Sequence, residues 1–231
     1  MFRALLHRLS AALPGQCALC HAWPARPICL ACTARFAQAR SRCELCALPL
    51  PAGVERCGAC IKEAPPLDRC LAVVPYAYPW SGLIARYKFG PSPGWSAALA
   101  RLMRDSPGVD AALQAADLLL PLPLSPQRLR ERGFNQALEL SRELAPDKTR
   151  ADLLLRLRDT PAQSSLPLHR RLRNVQDVFG LAAGAERALQ GRRLVLVDDV
   201  MTSGATLYAA ARLLRAAGAD HVTGLVLART E

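Results

Sequence analysis

In the stretch RRLVLVDDVMTSGATLYAA, residues 192–210, an apolar run ends in Asp198 and Asp199, and Met201, Thr202, Ser203, Gly204, Ala205 and Thr206 then lead into a helical pattern. Backbone N–H groups at a helix start lack partners and share a centre, which favours a phosphate. The hydroxyls of Thr202, Ser203 and Thr206 add donors, and Gly204 lets the backbone come close. The aspartates would repel that phosphate, so they suit another part of the same ligand. Carboxylates accept from hydroxyls, and two vicinal hydroxyls with a phosphate beyond them describe a phosphorylated ribose. A capped helix explains a Thr or Ser on its own. The ordered sequence of apolar run, two acids and hydroxyl loop is more specific.

Eight of nine cysteines form four Cys-x-x-Cys pairs: Cys17 and Cys20, Cys29 and Cys32, Cys43 and Cys46, Cys57 and Cys60. Each pair aims two sulfurs at one point, which is half of a tetrahedral zinc site. Four pairs make two four-cysteine sites. Sequential pairing gives Cys17, Cys20, Cys29 and Cys32 one Zn2+ and Cys43, Cys46, Cys57 and Cys60 the other; the short loops favour it over an interleaved arrangement. Thiolates fill every position, so both metals are structural rather than catalytic. Cys70 has no pair and opens an apolar strand, as a core residue would.

The chain has 231 residues, 51% of them hydrophobic and 21% charged, enough for one α/β domain and a small module. Its formal charge is +11, and among 30 basic residues only Lys62, Lys88 and Lys148 are lysine. Two loaded zinc sites lower that charge by four, because eight thiolates outweigh two divalent cations. The remaining basic balance suits phosphates or nucleic acid. No run approaches the ~20 apolar residues of a membrane span. Residues 1–16 read as an amphipathic helix rather than a signal peptide, because His7 and Arg8 interrupt the apolar run. A cytoplasmic protein without membrane insertion is the expectation.

The elements that must position these groups follow from the remaining pattern. CLAVVPYAY, DLLLPLPL, ADLLLRLR, RRLVLVDD and HVTGLVLART read as strands. SGLIARYKF, GWSAALARLMRD, GFNQALELSRELA and GATLYAAARLLRAAGA read as helices. Alternating strands and helices predict an α/β fold with a mostly parallel sheet and helices on both faces. Ligands of such sheets bind beyond the carboxyl ends of the strands, here the loops after Leu124, Arg158 and Asp199. The expected division is a helix over 1–16, a double zinc-ribbon module over 17–65 and the α/β domain over 70–231.

LVLVDDVMTSGAT resembles the phosphoribosyl pyrophosphate (PRPP) motif of type I phosphoribosyltransferases. Together with the four Cys-x-x-Cys pairs and PLPLSPQRLRERGFNQA, it makes nearly the whole chain resemble the ComF family of competence-associated, phosphoribosyltransferase-like proteins. The resemblance implies that Asp198 and Asp199 hold the ribose 2′ and 3′ hydroxyls as the catalytic pair, and that Met201 to Thr206 bind the 5′-phosphate. It places a pyrophosphate loop at Pro121 to Pro126 and a closing loop at Asp159 to Asn174. Mg2+ would accompany PRPP.

Arg128, Arg130 and Arg132 alternate, and in an extended loop they would face one way, toward pyrophosphate or nucleic-acid phosphates. Arg170 and Arg171, near His169, form a second basic run. Tyr76, Tyr78, Trp80, Tyr87 and Phe89 lie among Arg86 and Lys88, a composition suited to base stacking, although core packing accounts for most of them. Two functions follow from different classes. One is a transferase in which a nitrogen nucleophile displaces pyrophosphate from PRPP. The other is a PRPP-sensing or nucleic-acid-binding protein that transfers nothing. The family resemblance adds single-stranded DNA, and proteins of DNA uptake or recombination, as partners.

Overall fold

A computed structural model describes residues 15–90, 94–158 and 178–231. The expected N-terminal helix, His169, Arg170, Arg171 and the closing loop over 159–174 lie outside the described residues, except for the last two positions of the helix. The chain divides into two compact units, Met1–Gln38 and Ala39–Glu231.

The first unit contains Cys17, Cys20, Cys29 and Cys32 and a short helix α1 (Leu30–Phe36) whose N-cap is Cys29. The second unit repeats that plan with Cys43, Cys46, Cys57 and Cys60 and helix α2 (Gly58–Lys62), whose N-cap is Cys57. The correspondence extends to the backbone. His21 and Ala47, each directly after a second cysteine, take positive φ of 60° and 56°. Their N–H groups return to the carbonyls of Cys17 and Cys43 at 2.9 and 2.8 Å.

The second unit is built on a four-stranded parallel sheet in the order β1 (Arg69–Pro75), β6 (His221–Arg229), β5 (Arg193–Met201), β2 (Leu118–Pro121). β5 is central because Leu194 to Val197 offer only apolar side chains to either face, and all four are buried. Side chains alternate between the faces. On the face of Leu194 and Leu196 lie α9 (Ala205–Ala216) and the second cysteine group, which share one core with Cys70, Val222 and Val226. The other face is covered by α5 (Val109–Ala115) and α7 (Gln136–Leu144), and α4 (Ser96–Arg104) packs on these two helices. Helix α3 (Trp80–Phe89) buries Trp80, Leu83, Ile84 and Tyr87, and the short α8 (Ala185–Leu189), between β4 and β5, buries Ala185 and Leu189.

Two sequence expectations change. ADLLLRLR is a strand only over β3 (Leu154–Arg156), which pairs antiparallel with β4 (Phe179–Leu181) outside the parallel sheet. Its apolar run is half-buried: Leu155 and Leu157 are 41% and 62% exposed, so it could not sit at a sheet centre. The basic run after Ser125 is also not an extended loop. It is helix α6 (Pro126–Arg132), started by the Ser125 side chain accepting from the Arg128 N–H and ended by Gly133 at φ 78°. Arg128, Arg130 and Arg132 therefore spread around a helix instead of facing one way.

Candidate functional site

β5 runs through both aspartates to Met201, two residues further than the sequence suggested, and its pairing with β6 persists from Arg193 to Met201. Pairing with β2 stops earlier, at Pro121 and Val197. Asp199 N–H, left without a ladder partner on that side, donates to Asp198 Oδ1 at 2.8 Å. The chain then turns through Thr202 and Ser203 to Gly204, the N-cap of α9, at φ 82°. A Cβ on Gly204 would fall 2.5 Å from Met201 Cε and 2.6 Å from Tyr208 Cζ, so both the backbone conformation and the space require glycine. Gly204 offers no side-chain cap to the first turn of α9, and Ser203 Oγ accepts from the Ala205 N–H at 3.4 Å. A shallow pocket lies there, lined by Asp198, Val200, Met201, Thr202, Gly204 and Thr206.

Adjacent strand residues project to opposite faces, and the two aspartates separate accordingly. Asp198 faces the Thr202–Thr206 loop. Burial, and next the neighbouring Asp199 charge, push its carboxyl up to about 7, against the pull of Lys88 and Arg132. Asp199 turns to the other face, where it is 6% exposed. There its Oδ1 lies 3.1 Å from Lys88 Nζ and its Oδ2 3.9 Å from Arg132 NH1. The structure thus brings Asp198 to the loop with Met201, Thr202, Gly204 and Thr206, and pairs Asp199 with buried cations.

Arg132 is the one arginine of α6 that reaches this edge; Arg128 is half-buried and Arg130 exposed. The following residues hold the edge together. Asn135 accepts from the N–H groups of Ala137 and Leu138, capping α7, and its Nδ2 donates to the Leu122 carbonyl at 3.1 Å. Gln136, 1% exposed, accepts from Arg132 at 2.9 Å, while its backbone carbonyl accepts from Tyr87 Oη at 3.0 Å. Of the aromatic set, Trp80 and Tyr87 are core residues, whereas Tyr78 and Phe89 are 83% and 72% exposed. Phe89 lies under the Arg132 guanidinium at 5.6 Å. The sequence reading placed Lys88 only as a cation among the aromatics, not beside Asp199, and did not single out Arg229. A further signal for Lys88 is a lysine in a chain whose basic residues are almost all arginine.

The cysteines group sequentially. In each set the four sulfurs lie within 4.8 Å of one another. Cys17 and Cys32, Cys20 and Cys29, and Cys46 and Cys57 are separated by 3.9, 3.7 and 3.7 Å. A tetrahedron with Zn–S bonds near 2.3 Å has edges of about 3.8 Å, whereas a disulfide would need about 2.05 Å. The donor set therefore fits structural zinc. Backbone N–H groups point at the sulfurs and favour thiolate: burial raises the Cys17 and Cys43 thiols, but these donors outweigh it and bring them down to about 6 and about 7. Arg229, 8% exposed at the end of β6, joins the second group to the loop after β5. Its Nε donates to the Cys46 carbonyl at 3.0 Å and its NH1 to the Thr202 carbonyl.

A parallel sheet whose central strand delivers acids to a hydroxyl-bearing loop and a glycine-capped helix has the design of a phosphoribosyltransferase domain. Residues 130–230 match the family model described as the phosphoribosyl transferase domain. Over 94% of its length the chain is 34% identical to DNA utilization protein YhgH of Escherichia coli K12, covering 98% of that protein. It is 33% identical to Competence protein F of Haemophilus influenzae, over 81% of this chain and 84% of that one. The chain belongs to the ComF family. Among solved structures it is similar to a Bacillus subtilis glutamine PRPP amidotransferase, with a TM-score of 0.39 at 18% identity over 62% of this chain and 30% of that one. No described helix is long and apolar enough to cross a membrane.

Proposed function

We propose that this protein binds PRPP at the carboxyl edge of β5 and works on nucleic acid. The observation that carries the reading is the Thr202–Thr206 turn: glycine-capped, with Ser203 Oγ on the Ala205 N–H at 3.4 Å, and lined by Asp198. The 5-phosphate binds the amides and hydroxyls of Met201 to Thr206. The ribose hydroxyls donate to Asp198 and Asp199, and Asp199 Oδ2, without a hydrogen-bond partner among the described residues, suits such a donor. Mg2+ belongs to this proposal as the counter-ion that arrives with PRPP. Arg128 and Arg130, on the parts of α6 that do not reach this edge, suit nucleic-acid phosphates, as do Arg170 and Arg171. The nucleic-acid role is supported by the +11 formal charge and by relatives named for DNA utilization and competence.

Calorimetric titration with PRPP tests the site. Wild-type protein is expected to bind, and the double variant Asp198→Asn, Asp199→Asn to lose binding. Pyrophosphate release on adding nucleobases or DNA makes the protein a transferase; binding without release across a broad acceptor panel makes it a sensor. A slope near zero for DNA affinity against log salt removes the electrostatic argument for nucleic acid.

A further inference from the structure

The Asp199 side of β5 holds charge that the sugar-phosphate loop does not use. Lys88, at the end of α3, has a side chain only 15% exposed, and Arg132, at the end of α6, one only 13% exposed. Between them lies the Asp199 carboxylate, 9% exposed, whose Oδ2 has no hydrogen-bond partner among the described residues. Two cations therefore share one carboxylate in a place almost closed to water.

The donors and acceptors do not balance. An ammonium offers three N–H donors and a guanidinium five. Among the described residues, Lys88 Nζ meets only Asp199 Oδ1, at 3.1 Å. Arg132 NH1 donates to Gln136 Oε1 at 2.9 Å, and its 3.9 Å approach to Asp199 Oδ2 is too long for a hydrogen bond. The cluster thus lacks an acceptor for its cations and a donor for its carboxylate oxygen. PRPP carries both on neighbouring atoms, a diphosphate on C1 and a hydroxyl on C2. The cluster is also tied to the loop after β2, because Asn135, next to Gln136, holds the Leu122 carbonyl.

We propose that Lys88 and Arg132 form a diphosphate subsite in which Lys88 rests on Asp199 until a diphosphate takes it over and the C2 hydroxyl donates to the freed carboxylate. The inference rests on the PRPP reading above and adds Lys88, which none of the motifs contains. Lysine suits the moving part, a compact charge on a flexible stem. Arginine suits the fixed part, and Arg132 is held by Gln136 and by the Phe89 ring. The exchange gives each buried ion a new partner as it loses the old one, so none is left unpaired. Ribose 5-phosphate lacks the diphosphate and leaves Lys88 on Asp199, so the pair selects for the activated sugar.

The alternative is that Lys88 is a structural counter-ion that merely fastens α3 to β5. Calorimetry with inorganic diphosphate, ribose 5-phosphate and PRPP, each in Mg2+ buffer, separates the two. Lys88→Gln is expected to weaken diphosphate and PRPP by roughly 30-fold or more, as removal of one partner from a buried charge pair does. Ribose 5-phosphate is expected to bind it as it binds wild type, or more tightly. Lys88→Arg recovers part of the diphosphate affinity. If Lys88→Gln does not fold, Arg132→Gln carries the same comparison. A parallel loss for all three ligands, or no loss for any, overturns the subsite. Wild-type protein that binds diphosphate but neither sugar phosphate overturns the PRPP reading and spares the subsite. Wild type that binds none of the three overturns both.

Discussion

Replacing Arg229 by methionine removes the side chain that ties the second cysteine group to the loop after β5. Arg229 donates to the carbonyls of Cys46 at 3.0 Å, Thr230 at 2.6 Å and Thr202. No carboxylate pairs with it among the described residues; four thiolates around a zinc ion leave net negative charge near Cys46, which offsets the guanidinium. Methionine fills much of the volume but strands the Cys46 and Thr230 carbonyls, while Thr202 keeps a donor in Thr230 Oγ1 at 3.4 Å. A buried acceptor left without a donor costs roughly 1–3 kcal/mol. Thr230 is half-buried, and water can reach part of the gap, so the lower end applies and the sum is about 2–3 kcal/mol. For a chain of this size that is a fall in melting temperature of about 7 °C. Thermal melts followed by circular dichroism measure it, and a colorimetric chelator measures zinc loss from the second site. Arg229→Lys keeps the charge but reaches one carbonyl, so it should fall between wild type and methionine. A methionine variant melting within about 2 °C of wild type would refute the argument that Arg229 carries this junction.

Four further outcomes are expected. Gly204→Ala must force a side chain into αL against Met201 and Tyr208, so it should lose at least about 1–2 kcal/mol and most affinity for phosphate; urea melts and ribose 5-phosphate titration check this. Because the Asp198 carboxyl is raised to about 7 in the folded chain, the unfolded state releases its proton first as pH rises. The Asp198 contribution to stability should therefore fall between about pH 4 and pH 7 and then level off, and Asp198→Asn should lose that slope. Asn135→Ala removes the cap of α7 and the link to Leu122, and should cost about 1–2 kcal/mol in the same melts. Reduced protein should contain two zinc ions per chain. Cys60→Ser, in the core shared with the sheet, should lower the main melting transition, while Cys20→Ser, exposed in the other unit, should leave it unchanged.

The features legible in the sequence are those written locally. The run from Leu194 to Thr206 encodes strand, turn and helix in consecutive residues, and each cysteine turn encodes its own half-site. What was hidden depends on partners distant in the chain. Lys88 meets Asp199 only after β5 and α3 have packed together, and Arg229 meets Cys46 across the whole length of the second unit. The divergence of Asp198 and Asp199 was implicit in strand alternation, but it becomes visible only once β5 is seen to continue to Met201. The α6 helix was misread because alternating arginines outweighed better signals. Ser125 as N-cap, Pro126 in the first turn and Gly133 after the end mark a helix more strongly than charge spacing marks a loop.

The most direct measurement is a crystal structure of the protein grown with PRPP. Phosphate density against the amides of Thr202 to Thr206, with ribose between that loop and the aspartates, is the predicted result. An empty turn in crystals held at saturating PRPP, with Asp199 still bound to Lys88, would contradict the account.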